Sequence, residues 1–347
     1  MNKIQRTVMC IAVIGGFVLA VTALAPRLNR YIARRSLLNA GIEVCATVEF
    51  DTLATLTSAK PFVLALPPRA SSKHTAVALL LNGESGPRHP PEWVPVLIQE
   101  LNLRAVRIDN MELSDAFLRR LAQCNSLREL CCFKCRISSR ETADAALSSD
   151  TLVSLQMSQC NLRELKSVSL PALSMLFLDH NVGLQESPFA GFFVSAEKLE
   201  EVFLLGDSPK SAWGLLDDGS TLKILSADLK ALAENPVPLR DGLEVQHFEL
   251  LRCESTPTAM SIVRQIHGVR EALLSGAGIG DAVALALCQR NRGLTRLLLR
   301  GCSIECDTIK RIVELLPEAS VVIWRSDFSE SCLKEVSLHS KGVEIRK

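Results

Sequence analysis

A set of apolar anchors that returns every 21 to 26 residues constrains this chain more than any other feature. Ten units begin at Leu103, Leu127, Leu152, Leu173, Leu199, Leu222, Val245, Val269, Leu294 and Ala319. Within a unit the anchors stand at positions 1, 4 and 6, and position 9 favours Asn or Cys. Leu127-x-x-Leu130-x-Cys132-x-x-Cys135 and Leu152-x-x-Leu155-x-Met157-x-x-Cys160 follow this rule. So do Leu173-x-x-Leu176-x-Leu178-x-x-Asn181 and Leu294-x-x-Leu297-x-Leu299-x-x-Cys302. Val245-x-x-Phe248-x-Leu250-x-x-Cys253 keeps the spacing with two substituted anchors. Five units carry Met111, Asp207, Lys230, Ala277 or Asp327 at position 9. The unit from Leu222 has only Ala227 at position 6, and the last opens with Ala319.

A coil this short cannot bury its own apolar face, so stability must come from stacking on the coils before and after it. Positions 1, 4 and 6 are expected inside, and position 9 turns inward where a small polar or sulfur-bearing side chain can meet backbone groups at the turn. The returning segments carry helical signals. Ser114 precedes an amphipathic stretch to Ala122 that opens with Asp115, and Asp307 to Leu316 reads likewise, stopping at Pro317. The stretch Leu113-Ser114-Asp115-x-x-Leu118-x-x-Leu121-Ala122-x-Cys124-x-x-Leu127 resembles the cysteine-containing leucine-rich repeats, and the resemblance spans roughly residues 101–347. It implies an α/β leucine-rich-repeat solenoid, an open arc with parallel strands inside and helices outside. Members of that subclass are often ubiquitin-ligase substrate adaptors with an F-box, and no segment here reads as an F-box.

The N-terminus has a different character. Lys3, Arg6, Arg27, Arg30, Arg34 and Arg35 place six positive charges and no acid in the first 35 residues, leaving 33 basic against 38 acidic residues in the rest. A mildly acidic body speaks against nucleic acid, which needs a basic surface. Val8 to Ala25 is uncharged and as a helix would be about 27 Å long, near the thickness of a bilayer core. Ala23-Leu24-Ala25 resembles a signal-peptide cleavage pattern, but Pro26 directly after the cut favours an uncleaved single-pass transmembrane helix. Four arginines on its C-side against Lys3, Arg6 and the amino terminus lean the body toward the cytoplasm. The domain reading is therefore a membrane anchor with basic flanks at 1–35, a tether and N-terminal cap at 36–102, and the repeat domain with its C-terminal cap at 103–347. Within the tether and cap, Ile42 to Phe50 reads as a strand and 51–75 as an irregular linker. Val77 to Leu81 is expected to be a capping strand, and Pro91 to Leu101 a helix begun by proline.

Candidate chemistry is sparse. Cys132-Phe133-Lys134-Cys135 is a C-x-x-C, yet both cysteines fall on inward repeat positions, as do Cys160, Cys253 and Cys302. Buried, mostly reduced thiols acting as small hydrophobes account for them. The six histidines lack metal-ligand spacing, and Gly276-Ala277-Gly278-Ile279-Gly280 has three glycines but lies at a repeat turn. No cofactor, metal or catalytic residue is expected. Positions 5 and 7 of each strand alternate away from the anchors and should line the concave face. They include Phe177, Phe203, Leu273, Leu298 and Ile323 at position 5 and Phe133, Leu205 and Leu251 at position 7. Arg107, Gln156, Asp179, Asp228, Glu249 and Arg300 interrupt them. Stacking does not require large apolar residues there, so Phe133, Phe177, Phe203, Leu205, Leu251, Leu273 and Leu298 are the candidate contacts for a protein partner. The expected function is a membrane-anchored protein–protein interaction scaffold. The alternatives are a thiol- or metal-dependent enzyme using the Cys132/Cys135 region, or a ligase-type adaptor.

Overall fold

The computed structural model describes residues 43–46, 62–66, 78–84, 87–138, 148–160, 169–180, 198–206, 216, 221–228, 242–324 and 342–346. In chain order the strands are β1 (Glu43–Ala46), β2 (Phe62–Leu66), β3 (Ala78–Asn82), β4 (Ala105–Asp109), β5 (Glu112–Ser114), β6 (Glu129–Phe133), β7 (Arg136–Ser138) and β8 (Ser154–Ser158). They continue with β9 (Met175–Asp179), β10 (Glu201–Leu205), β11 (Leu222–Asp228), β12 (Leu243–Leu251), β13 (Ile266–His267), β14 (Glu271–Ser275), β15 (Arg296–Arg300), β16 (Ser320–Trp324) and β17 (Val343–Arg346). All but β5 and β7, which pair with each other, join one fifteen-stranded sheet. Among the described pairings only β2 with β3 is antiparallel. The chain is thus α/β, an open parallel sheet whose neighbours follow in sequence, an arrangement compatible with a solenoid.

The register is that of the repeat. Position 5 pairs with position 5 from coil to coil: Arg107 with Cys131, then Gln156, Phe177, Phe203, Ser226, Glu249, Leu273 and Leu298. Ala227, the weak sixth anchor, is fully buried between Leu204 and Leu250. The last coil departs by one residue. Leu298 pairs with Val322, so Val321 and Ile323 occupy the anchor rows, and Ile323 is buried rather than on the open face. The run Ser320-Val321-Val322-Ile323-Trp324 barely alternates, so its composition fits either register. Ala319 is still buried and donates its N–H to Leu316 at the end of the preceding helix. Strand β2 likewise corrects the irregular reading of 51–75, pairing parallel to β1 and antiparallel to β3. Its Phe62-Val63-Leu64-Ala65-Leu66 sequence has strand composition without alternation.

Eight of the repeat strands end in the same backbone device. Position 8 takes positive φ in Asn110, Lys134, Gln159, His180, Gly206, Arg252, Gly276 and Gly301. A non-glycine residue there costs about 1–2 kcal/mol. The turn nevertheless keeps the ladder going, because the N–H of Asn110, Lys134, His180 and Gly301 donates to position 7 of the next coil at 2.9 to 3.0 Å. After Gly276 the position 9 residue Ala277 is exposed, whereas at Met111, Cys135, Cys160, Cys253 and Cys302 the turn also swings position 9 inward. There the thiols of Cys135, Cys160 and Cys302 donate to the position 6 carbonyls of the previous coil, Ile108, Cys132 and Leu274, at 3.2, 3.3 and 3.3 Å.

Five helices are described. The first, α1 (Val94–Leu101), has its proline at Pro95 inside the first turn, not at Pro91. In α2 (Asp115–Ala122) the Ser114 hydroxyl accepts from the Phe117 N–H at 3.2 Å, the expected N-cap. The others are α3 (Thr256–Val263), α4 (Asp281–Arg290) and α5 (Cys306–Leu315), and α4 packs between α3 and α5. Asn291, closing α4, is buried. Its side chain accepts from Val269 N–H and donates to the Leu287 carbonyl, which ties the end of the return to the first anchor of the same coil. Among the described residues no helix is long and apolar enough to cross a membrane, and residues 8–25 lie outside the described set.

The two glycine turns near the C-terminal end separate conformation from space. At Gly301 (φ +58) an added Cβ meets nothing within 4 Å, whereas at Gly276 (φ +117) it would stand 2.3 Å from the Cys253 carbonyl oxygen. In urea unfolding, Gly301→Ala should cost about 1 kcal/mol, and Gly276→Ala about 3 kcal/mol or more because backbone must shift.

Candidate interaction surface

Alternation puts positions 3, 5 and 7 of every strand on the sheet face opposite the anchors. The anchors at positions 4 and 6 are buried in one continuous core shared with the helices. All seven candidate residues stay outside that core and half-buried: Phe133, Phe177, Phe203, Leu205, Leu251, Leu273 and Leu298. The register then sorts them into groups.

Phe177 and Phe203 are direct neighbours, their rings tilted 32° with centroids 5.4 Å apart. Leu205 pairs with Asp179 two residues further along the same strands. Leu273 and Leu298 form a second pair, continued by the buried Val322. Between the two groups row 5 is polar: the Ser226 hydroxyl donates to Glu249 at 2.7 Å, and Glu249 contacts His247 at 3.1 Å. His247 meets Glu271 through its other ring nitrogen at 3.3 Å. Leu251 stands beside this bridge, next to Asp228. Phe133 is apart from both groups, with the Arg107 guanidinium 5.7 Å and the Lys134 ammonium 5.2 Å from its ring centroid. The stripe is two apolar islands and an outlier, not one band.

Three positions expected on the open surface are covered. Arg107 is buried and its Nε donates to both Asp109 oxygens at 2.9 and 3.0 Å. Cys131, also at position 5, is buried beside it. Asp228 is fully buried and ion-paired with Arg252 from the next coil. Conversely, two apolar residues of the face belong to position 3, Met175 and Ile224, both half-buried. The period of two that selected positions 5 and 7 also selects position 3, so they were readable. Trp324 joins row 7 through the shifted last coil, under the Arg300 guanidinium at 5.8 Å.

The thiols have another role. Cys124, Cys131, Cys132, Cys135, Cys160, Cys253, Cys288 and Cys302 are free and buried. Burial pushes the Cys124 and Cys253 thiols up to about 11 and those of Cys131, Cys288 and Cys302 to about 12. Cys132, Cys135 and Cys160 form a hydrogen-bonded group. The bonds from Cys132 and Cys160 favour ionisation of Cys135 over its neighbours against the opposing effect of burial, and both neighbours are raised. Among the described residues no three His, Cys, Asp or Glu side chains are grouped to hold a metal ion. Cys306, in the first turn of α5, is disulfide-bonded. An open hollow of about 670 Å³ lies at the strand-entry edge, between Val153, Ser174, Glu200 and Thr221. Among the described residues its charged groups are Lys198 and Glu200, and Glu200 already holds Lys223 at 2.6 Å.

No protein-family model matches the chain, and no curated protein is similar enough to count as a relative.

Burial of the eight free thiols has a direct readout. Labelled with a thiol reagent at neutral pH and mapped by mass spectrometry, these positions should react only on the timescale of unfolding, because burial leaves the reagent no path to any of the eight sulfurs, Cys135 included. Rapid modification of Cys132 or Cys135 in the native protein would contradict their structural role.

Proposed function

We propose that this chain is a leucine-rich-repeat protein held to a membrane by a single-pass helix at 8–25, and that it works as a protein–protein interaction scaffold. The observation that carries the reading is the aromatic island on the open face. Phe177, Phe203 and Leu205 sit in register on strands whose stacking is already served by positions 4 and 6. Large half-exposed apolar groups with no part in the core mark contact surfaces. A thiol enzyme fits less well, since its candidate nucleophiles Cys132 and Cys135 are buried and serve the coil-to-coil hydrogen bonding.

The side of the membrane has two readings. Four arginines after residue 25 favour a cytoplasmic body. The bonded Cys306 favours an oxidising compartment, where disulfides persist. Protease protection of sealed vesicles decides between them. A repeat domain digested only after the membrane is opened from the lumenal side would place it with the disulfide.

Affinity capture on the full chain tests the scaffold. Phe177→Asp with Phe203→Asp should lose specific partners while costing only about 1–2 kcal/mol of stability, because both sites are half-exposed. Unchanged partners in a variant with an unchanged circular dichroism spectrum would sink the reading. Deleting residues 1–35 should move the protein from the membrane fraction to the supernatant. Continued membrane association would reject the anchor.

A further inference from the structure

The chemistry around the aromatic island narrows what can sit on it. On positions 3, 5 and 7 of β9 to β14 the carboxylates are Asp179, Glu201, Asp228, Glu249 and Glu271. Asp228 is closed off by Arg252. Among the described residues no Lys or Arg forms an ion pair with the other four; their charged contacts are His180 beside Asp179 and His247 between Glu249 and Glu271. The exposed Arg296 of β15 is the register neighbour of Glu271 at the far edge of the patch. Three of them remain open, with 20 %, 28 % and 46 % of the side chain exposed at Asp179, Glu249 and Glu271. The same face carries the apolar groups Met175, Phe177, Phe203, Leu205, Ile224 and Leu273, all half-buried. This is an apolar floor framed by carboxylates, and a docked acidic segment would be repelled across its length.

Spacing favours one backbone form for the occupant. Adjacent strands lie about 4.8 Å apart, and the two phenylalanine rings are 5.4 Å apart. A helix laid across the strands brings its apolar side round about every 5.4 Å, close to one contact per strand. An extended chain repeats the same side only about every 6.7 Å and falls out of step after two strands. We propose that the occupant of the Phe177–Phe203–Leu205 island is a basic amphipathic helix of the partner, its apolar stripe on the island and its Lys or Arg residues against Asp179, Glu201, Glu249 and Glu271. This rests on the scaffold reading and specifies its ligand.

The test uses the full chain in zwitterionic nanodiscs, with empty discs as blank, and fluorescent peptides of about 18 residues, long enough to cross β9 to β14 as a helix. Three peptides share one apolar stripe at helical spacing and carry Lys, Gln or Glu elsewhere; a fourth is the Lys peptide with two central prolines. The Lys peptide should bind about tenfold or more tighter than the Glu peptide, and weaken as salt rises from about 50 to about 500 mM. Glu249→Gln with Glu271→Gln should narrow that gap about threefold, and Phe177→Asp with Phe203→Asp should abolish binding. Glutamine keeps the shape of both glutamates, so the first variant remains informative if the second unfolds. Equal binding of the Lys and Glu peptides, lost with the phenylalanines, overturns the charge assignment and leaves the scaffold intact. Undiminished binding of the proline peptide overturns the helix. Binding of none overturns the proposal, and partner capture then judges the face separately.

Discussion

Among the described residues each repeat strand is held by the one before and the one after it, through backbone pairing that in most of them continues past the end of the strand. The positive-φ residue at position 8 makes that continuation possible. Its N–H stays in the ladder while the chain turns, and the following cysteine thiol reaches back to a carbonyl of the previous coil. A sulfhydryl suits this place because it is small enough to bury, apolar enough to cost little, and still able to donate weakly. The energetic unit is therefore the interface between coils rather than the coil.

That division of labour explains why the sheet has two unlike faces. Positions 4 and 6 are committed to stacking and are nearly all aliphatic, with Phe248 the largest side chain fully buried. Positions 3, 5 and 7 carry no such duty, and the chain spends them on a mixture of aromatic, acidic and basic groups arranged in straight rows by the register. Where a charge on this face is buried, it arrives with its partner: Arg107 with Asp109 inside one strand, Asp228 with Arg252 across two coils. Unpaired burial of either would cost several kcal/mol.

Much of this was legible from residue spacing. Nine coils pair in the register that their leucines predict, including the one whose sixth anchor is only Ala227, and the N-cap at Ser114 followed from local chemistry. What escaped had physical causes. The last coil slipped because Val321, Val322 and Ile323 are interchangeable as anchors, so period two carries no phase there. Strand β2 was hidden by the same uniformity among Phe62 to Leu66. The covered Arg107 and Asp228 could not be foreseen, because pairing depends on how neighbouring side chains lean, which spacing along the chain does not specify. Of the surface residues, Phe177, Phe203 and Leu205 were found by alternation, and Met175 and Ile224 obey the same alternation at position 3.

From β4 to β16 the offsets between paired strands vary from 21 residues, at β8 to β9, to 26, at β9 to β10, yet the rows on the open face run unbroken. All variation in length is taken up in the returns. Heritable change can then act on this chain in two separable ways. Small insertions and deletions in a return alter its outline without disturbing which side chain sits beside which across the sheet. Gain or loss of a whole coil lengthens or shortens the recognition surface by one strand width, about 4.8 Å, with every remaining row still aligned.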